Sequence, residues 1–276
     1  MTPALAGTPR YFAWLYSGEP LQGTLAALFG IEAEINAALQ PGLEHTVAHA
    51  RLGWWSEEAA RLRAGAPLHP LTRALLALKP RGAAPPDVSG LVDVATWDLA
   101  CATFDTGREL AGYCDRWARA LTQLAGGWAG APWPQAPQFG HSLGVALCEL
   151  QMLNTLAADA RLGRVRLPLQ ELTALGVAPA ALARPPWPPA LCERLRERHR
   201  QLRGALASAC ALPRSASQRV GARGLLVWAA LLAQHSRRAE RALPGSGPRR
   251  RWDGLADALR AWRSARAALR GVTAEV

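Results

Sequence analysis

The chain has 276 residues, enough to bury a large core. Against 21 Asp and Glu stand 32 Lys and Arg, and the net charge of +11 favours anionic partners such as diphosphates, lipid head groups or nucleic acid. The five cysteines show no CxxC spacing, which argues against a disulfide scaffold or a thiolate zinc site and for free thiols in a reducing compartment.

In chain order the pattern is helical throughout. An aromatic-rich segment, Tyr11 to Tyr16, precedes a helix expected over Leu21 to Leu39, which Pro41-Gly42 breaks. Further helices are expected over Leu43 to Ala64, Leu71 to Leu78 and Asp87 to Leu99, with a loop at 79–86. Asp105 reads as the N-cap of a helix ending near Gly126. After a Pro/Gly/Trp-rich loop at 126–138, apolar residues recur at Leu143, Ala146, Leu147, Leu150, Leu153, Leu156 and Ala157, the spacing of one helical face. This helix is expected to break at Gly163 into a basic loop closed by Pro168. A Pro-rich spacer at 183–189 leads to helices over Ala190 to Ala211 and Arg214 to Arg241, a basic loop at 243–251, and a last helix over Trp252 to Leu269. No strand alternation, GxGxxG or fixed-period repeat appears. The expectation is all-α, with residues 1–276 forming one domain and the proline-rich breaks serving as inter-helix loops.

One stretch, LGVALCELQMLNTLAADARLGRVRLP, resembles the second signature of the squalene/phytoene synthase family, with Gly144, Ala146, Leu153, Asp159, Gly163, Arg164, Leu167 and Pro168 in register. The resemblance extends to RYFAWLY and ALFGIEAEI near the start, to ARLGWW (Ala50 to Trp55), to Leu68-His69-Pro70, and to Trp97 to Cys114 with Asp98, Leu110 and Tyr113 in place. The final helix with Trp262 falls where the family has its C-terminal helix. This resemblance implies a single-domain helical bundle of the isoprenoid-synthase type. It also implies head-to-head condensation of prenyl diphosphates, in which magnesium held by aspartates on two facing helices neutralises the leaving diphosphate.

The aspartates are the point of departure. Those of the family's first motif fall on Asn36, Ala37 and Gln40, and the first aspartate of the second motif falls on Thr155, leaving Asp159. Glu32, one turn before Asn36, is a candidate shifted ligand; the plainer reading pairs it with an arginine. Arg161 and Arg164, with Asp159 and Tyr113, are candidates for holding a phosphate-bearing ligand, since arginine binds phosphate bidentately. The alternative is that Asp159 pairs with these arginines and fixes the loop. His45 and His49 lie four apart on a helix without a third ligand and read as structural. The arginine runs at Arg194 to Arg203 and at 248–252 lack a nucleic-acid-binding motif and read as solvated faces, so no nucleic-acid partner is expected.

Three functions remain open at this point. The first is a non-catalytic binding or assembly factor, a kind of member that the family includes, with no cofactor. The second is an active prenyl transferase with an altered diphosphate site, using magnesium with Glu32, Asn36 and Asp159. The third is a silent subunit of an active paralogue. The expected partners are a prenyl diphosphate or other lipidic ligand, a protein, or an anionic membrane surface. No apolar run reaches the roughly eighteen residues of a spanning helix and no signal peptide is evident, so the expected place is the cytoplasm or the inner membrane face.

Overall fold

The computed structural model describes residues 5–128, 133–245 and 253–271. Helices and turns make up these residues, without a strand. The short α1 (Pro9–Leu15) is capped by Thr8, whose hydroxyl accepts from the Tyr11 N–H. α2 (Leu21–Asn36) tightens into a 3-10 turn at Ala37–Leu39. Then come α3 (His45–Arg63), α4 (Pro70–Ala77) and α5 (Ser89–Leu99). α6 (Gly107–Ala118) passes through a π turn at Arg119–Gln123 into α7 (Leu124–Gly127). α8 (Ala136–Arg161) is followed by α9 (Leu169–Ala174), a 3-10 turn at Pro179–Ala183, α10 (Pro189–Cys210), α11 (Ala216–Gly221), α12 (Arg223–Ala242) and α13 (Asp253–Leu269).

α8 is the axis of the bundle. It packs against α6, α7, α10 and α12. Its buried residues, among them Phe139, Leu143, Leu147, Leu150, Met152 and Leu156, surround most of its circumference, as they must in a helix covered by neighbours on several sides. Gly140 and Gly144 let it approach the π turn: a Cβ on either would collide with Thr122. The main core runs from α2 and α3 through α6 and α8 to α12, where fully buried Trp228 meets Phe29 edge-on at 5.3 Å. A second cluster gathers the C-terminal half of α8, α9, Trp187 and the start of α10. A third joins Phe12 of α1 to α12 and α13.

Several local expectations shift by small amounts. Thr106, not Asp105, caps α6: its hydroxyl accepts from the Glu109 N–H, and Glu109 reaches back to the Asp105 N–H at 2.7 Å. The segment 214–241 divides at Ala222 into α11 and α12, so that α12 starts against α1, where a Cβ on Gly224 would collide with Ser17. α9 and the turn at Pro179–Ala183 fill a stretch with no assigned element. Gly163 takes φ +81° and ends α8 as expected. The loops at 126–138 and 243–251 fall partly outside the described residues.

The Leu68-His69-Pro70 turn is fastened by Glu58 of α3. This buried carboxylate accepts from the Leu68 and His69 N–H groups, both at 2.8 Å, and from the Thr72 hydroxyl, and pairs with Arg61 at 2.8 Å. Of the Trp54–Trp55 pair, Trp55 is buried and Trp54 exposed. All five cysteines are free; Cys101 is exposed and the other four are buried, and burial pushes the Cys210 thiol up to about 12.

Candidate functional site

A cavity of about 430 Å³ opens between α2, α5, α6, α8 and α12, with the start of α1 at its rim. Its apolar wall includes Leu91, Val94, Trp117, Met152, Trp228 and Leu232. Its polar wall is built from residues far apart in sequence.

On one side Arg10 of α1 grips Glu32 of α2 through two bonds, of 2.6 and 2.9 Å. Glu32 also accepts the Trp117 indole N–H at 2.9 Å, and the Arg10 guanidinium lies about 5.5 Å from the Phe29 ring and 5.6 Å from that of Trp228. On the other side Arg166, from the loop after α8, grips Asp98 of α5 at 2.6 and 2.8 Å. The Tyr113 hydroxyl donates to the same carboxylate at 3.1 Å. Asp159 accepts from Thr155, one turn earlier on α8, at 2.6 Å and lies 3.5 Å from Arg166. Burial alone would lower the Arg166 guanidinium pKa, but the Asp98 and Asp159 carboxylates outweigh it and hold it above its ordinary value. Burial, reinforced by the Asp98 charge, pushes the Tyr113 hydroxyl well up, so Tyr113 stays a neutral donor.

Of the positions singled out in the sequence, Glu32, Asn36, Tyr113, Thr155 and Asp159 line the cavity together. Gln40, Arg161 and Arg164 do not. Gln40 is exposed beyond the 3-10 turn, because the tightened turn carries it past the cavity mouth. Arg161 is exposed on the last turn of α8, and Arg164 follows the chain reversal at Gly163. The arginines that do reach the cavity are Arg10 and Arg166. Neither was singled out as a binding residue: both fall in stretches that resemble the family, but their partners are distant, 22 residues away for Arg10 and 68 for Arg166. His45 and His49 lie with ring nitrogens 2.9 Å apart on an exposed surface. Among the described residues no three His, Cys, Asp or Glu side chains group as a metal site.

This donor set does not fit a magnesium–diphosphate centre. Magnesium is usually held by one or two carboxylates, with oxygens free to face it, together with substrate phosphates and water. Here both oxygens of Glu32 and both of Asp98 are engaged by arginine, Asp159 accepts from Thr155 and lies 3.5 Å from Arg166, and Asn36 and Thr155 bring neutral oxygens. The lining carries three carboxylates, Glu32, Asp98 and Asp159, against two guanidinium groups, so it has no positive surplus for a bare diphosphate either.

The squalene/phytoene synthase family model matches residues 5–254, nearly the whole chain. The chain belongs to the squalene/phytoene synthase family. A curated relative, presqualene diphosphate synthase of Rhodopseudomonas palustris (strain ATCC BAA-98 / CGA009), is 30% identical over 159 residues, covering 54% of this chain and 55% of that protein. The chain thus spans about half the length of that relative. Two solved structures share the fold. A dehydrosqualene synthase in complex with ligand superposes with a TM-score of 0.67 at 15% identity, over 94% of this chain and 92% of that one. Squalene synthase HpnC from Alicyclobacillus acidocaldarius gives 0.61 at 16% identity, over 83% and 87%. The all-α isoprenoid-synthase bundle is therefore the architecture of this squalene/phytoene synthase family member. The family match stops at Gly254, at the start of α13.

Proposed function

We propose that this squalene/phytoene synthase family member does not carry out magnesium-dependent prenyl transfer and serves as a non-catalytic binding or assembly factor. The observation that supports this reading most is the commitment of the cavity carboxylates to Arg10 and Arg166. An arginine bound bidentately to a carboxylate occupies the lone pairs a metal needs, and freeing Asp98 leaves the buried Arg166 guanidinium behind. The cavity falls in the size range of sites that take one small ligand. The cytoplasm or the inner membrane face is the place that suits such a factor.

A second reading, an active prenyl transferase using Glu32, Asn36 and Asp159, is favoured by the similarity to presqualene diphosphate synthase. The test is product analysis. The purified protein is incubated with farnesyl or geranylgeranyl diphosphate and magnesium, beside an active presqualene diphosphate synthase as control. Diphosphate release and a condensed product in the control alone support the non-catalytic reading. A condensed product formed by this protein at a comparable rate overturns it.

A further inference from the structure

α13 is packed with its small side chains inward and its bulky ones outward. The face turned to α12 and α1 carries Asp257, Ala261, Ser264, Ala265 and Ala268, all buried. The opposite face carries Leu255, Leu259, Trp262 and Leu269, which are 63, 47, 44 and 53% exposed. These four, with Arg266, follow a four-three-four-three spacing and so form one continuous stripe along the helix. In a helix whose outer face met only water the order would be reversed, because apolar area left in water gains nothing from folding.

The charges on α13 are divided in the same way. Its acids point inward: Asp257 accepts from Gln234, His235 and Arg238 of α12, and Asp253 lies 3.6 Å from Arg238. The exposed charges beside the stripe are Arg263, Arg266 and Arg270, all cationic. Arg266 stacks on Trp262 at 4.8 Å, its guanidinium held beside the apolar stripe. A second copy of this face is a poor partner, since pairing it with itself would bring six guanidinium groups together. A flat row of Leu and Trp flanked by arginine alone matches an anionic lipid surface. There the leucines and the indole enter the head-group boundary and the guanidinium groups meet lipid phosphates.

We propose that α13 is a membrane-docking helix that lies flat on an anionic bilayer through Leu255, Leu259, Trp262 and Leu269, with Arg263, Arg266 and Arg270 on the lipid phosphates. The inference is independent of whether the cavity turns over a substrate. The family model stops at Gly254, so it does not bear on the outward face of this helix.

The test is flotation of the full chain with vesicles of phosphatidylcholine alone and of phosphatidylcholine with about one third phosphatidylglycerol. Flotation with the anionic vesicles, weakened at least tenfold by high salt, is expected. The double variant Leu259→Ser with Trp262→Ser is expected to lose at least tenfold in partitioning while keeping its helical circular dichroism and melting temperature, since both side chains are exposed. Arg263→Glu with Arg270→Glu is expected to abolish the preference for anionic lipid. Absence of flotation overturns the proposal, as does flotation of the Leu259/Trp262 variant equal to that of the unmodified chain. A dimer that this variant dissociates, without vesicle binding by the parent, would assign the face to self-association and likewise overturn it.

Discussion

Arg166 meets Asp98 through two near-parallel bonds, of 2.6 and 2.8 Å, with both side chains buried in the cavity wall. Breaking such a pair from one side strands the other charge in a poorly solvating interior. Arg166→Ala is therefore expected to cost roughly 3–5 kcal/mol of stability, measured by urea unfolding. Replacing both partners, Asp98→Asn with Arg166→Gln, is expected to cost clearly less than the sum of the single changes, because neither charge is then left alone.

Gly144 tests the close packing of α8 on the π turn. A methyl group there would overlap the Thr122 hydroxyl. Gly144→Ala is expected to lower stability by about 1–3 kcal/mol despite the better helix propensity of alanine. Adding Thr122→Ser, which removes a methyl and frees the hydroxyl to turn away, is expected to recover part of the loss in thermal unfolding.

Glu58 makes stability depend on acid. Burial alone would raise its pKa, but hydrogen bonds from Thr72, the His69 amide, Arg61 and the Leu68 amide outweigh burial and hold it at about 2, from an ordinary value of 4.5. A lowered carboxylate pKa means that the unfolded chain binds the proton first. The contribution of Glu58 is therefore complete above about pH 4.5 and is lost as the pH falls from there to about 2. Glu58→Gln is expected to destabilise the protein at pH 7 by on the order of 2 kcal/mol and to flatten this part of the stability profile.

His199 acts in a neighbouring window with a different origin. Burial, helped by the charge of Arg203, lowers its pKa from 6.5 to about 4, and its Nδ1 lies 2.9 Å from the Ser236 hydroxyl oxygen. Below pH 6.5 the unfolded chain takes a proton that the folded chain refuses, so stability falls as the pH drops from 6.5 towards 4. His199→Gln is expected to remove that slope, in denaturant titrations at half-unit steps of pH, while the Glu58-dependent slope below it persists.

The features legible in the sequence were those encoded locally. The three-and-four spacing from Leu143 to Ala157 gave the central helix and Gly163 gave its end, each from residues within a few positions of one another. Five of the singled-out cavity positions, Glu32, Asn36, Tyr113, Thr155 and Asp159, do meet, because they lie on helices whose order the motifs fixed. The two arginines that set the charge of the cavity were not legible. Arg10 belongs to a seven-residue helix and Arg166 to a loop, and their partners lie on α2 and α5. Arg161 and Arg164 were the candidates, yet the chain reversal at Gly163 brings Arg166 and neither of them to Asp98. The outward face of α13 was hidden for a similar reason, since a stripe of Leu and Trp reads as core until α12 is seen to cover the alanines instead.

The central claim is that Glu32 and Asp98 belong to Arg10 and Arg166 and not to magnesium, and the most direct measurement is calorimetric titration with farnesyl diphosphate, with and without magnesium. The expected result is that farnesyl diphosphate binds weakly or not at all in both titrations, and that Arg166→Gln destabilises the chain without conferring magnesium-dependent binding. Tight binding of farnesyl diphosphate that appears only with magnesium would contradict the account.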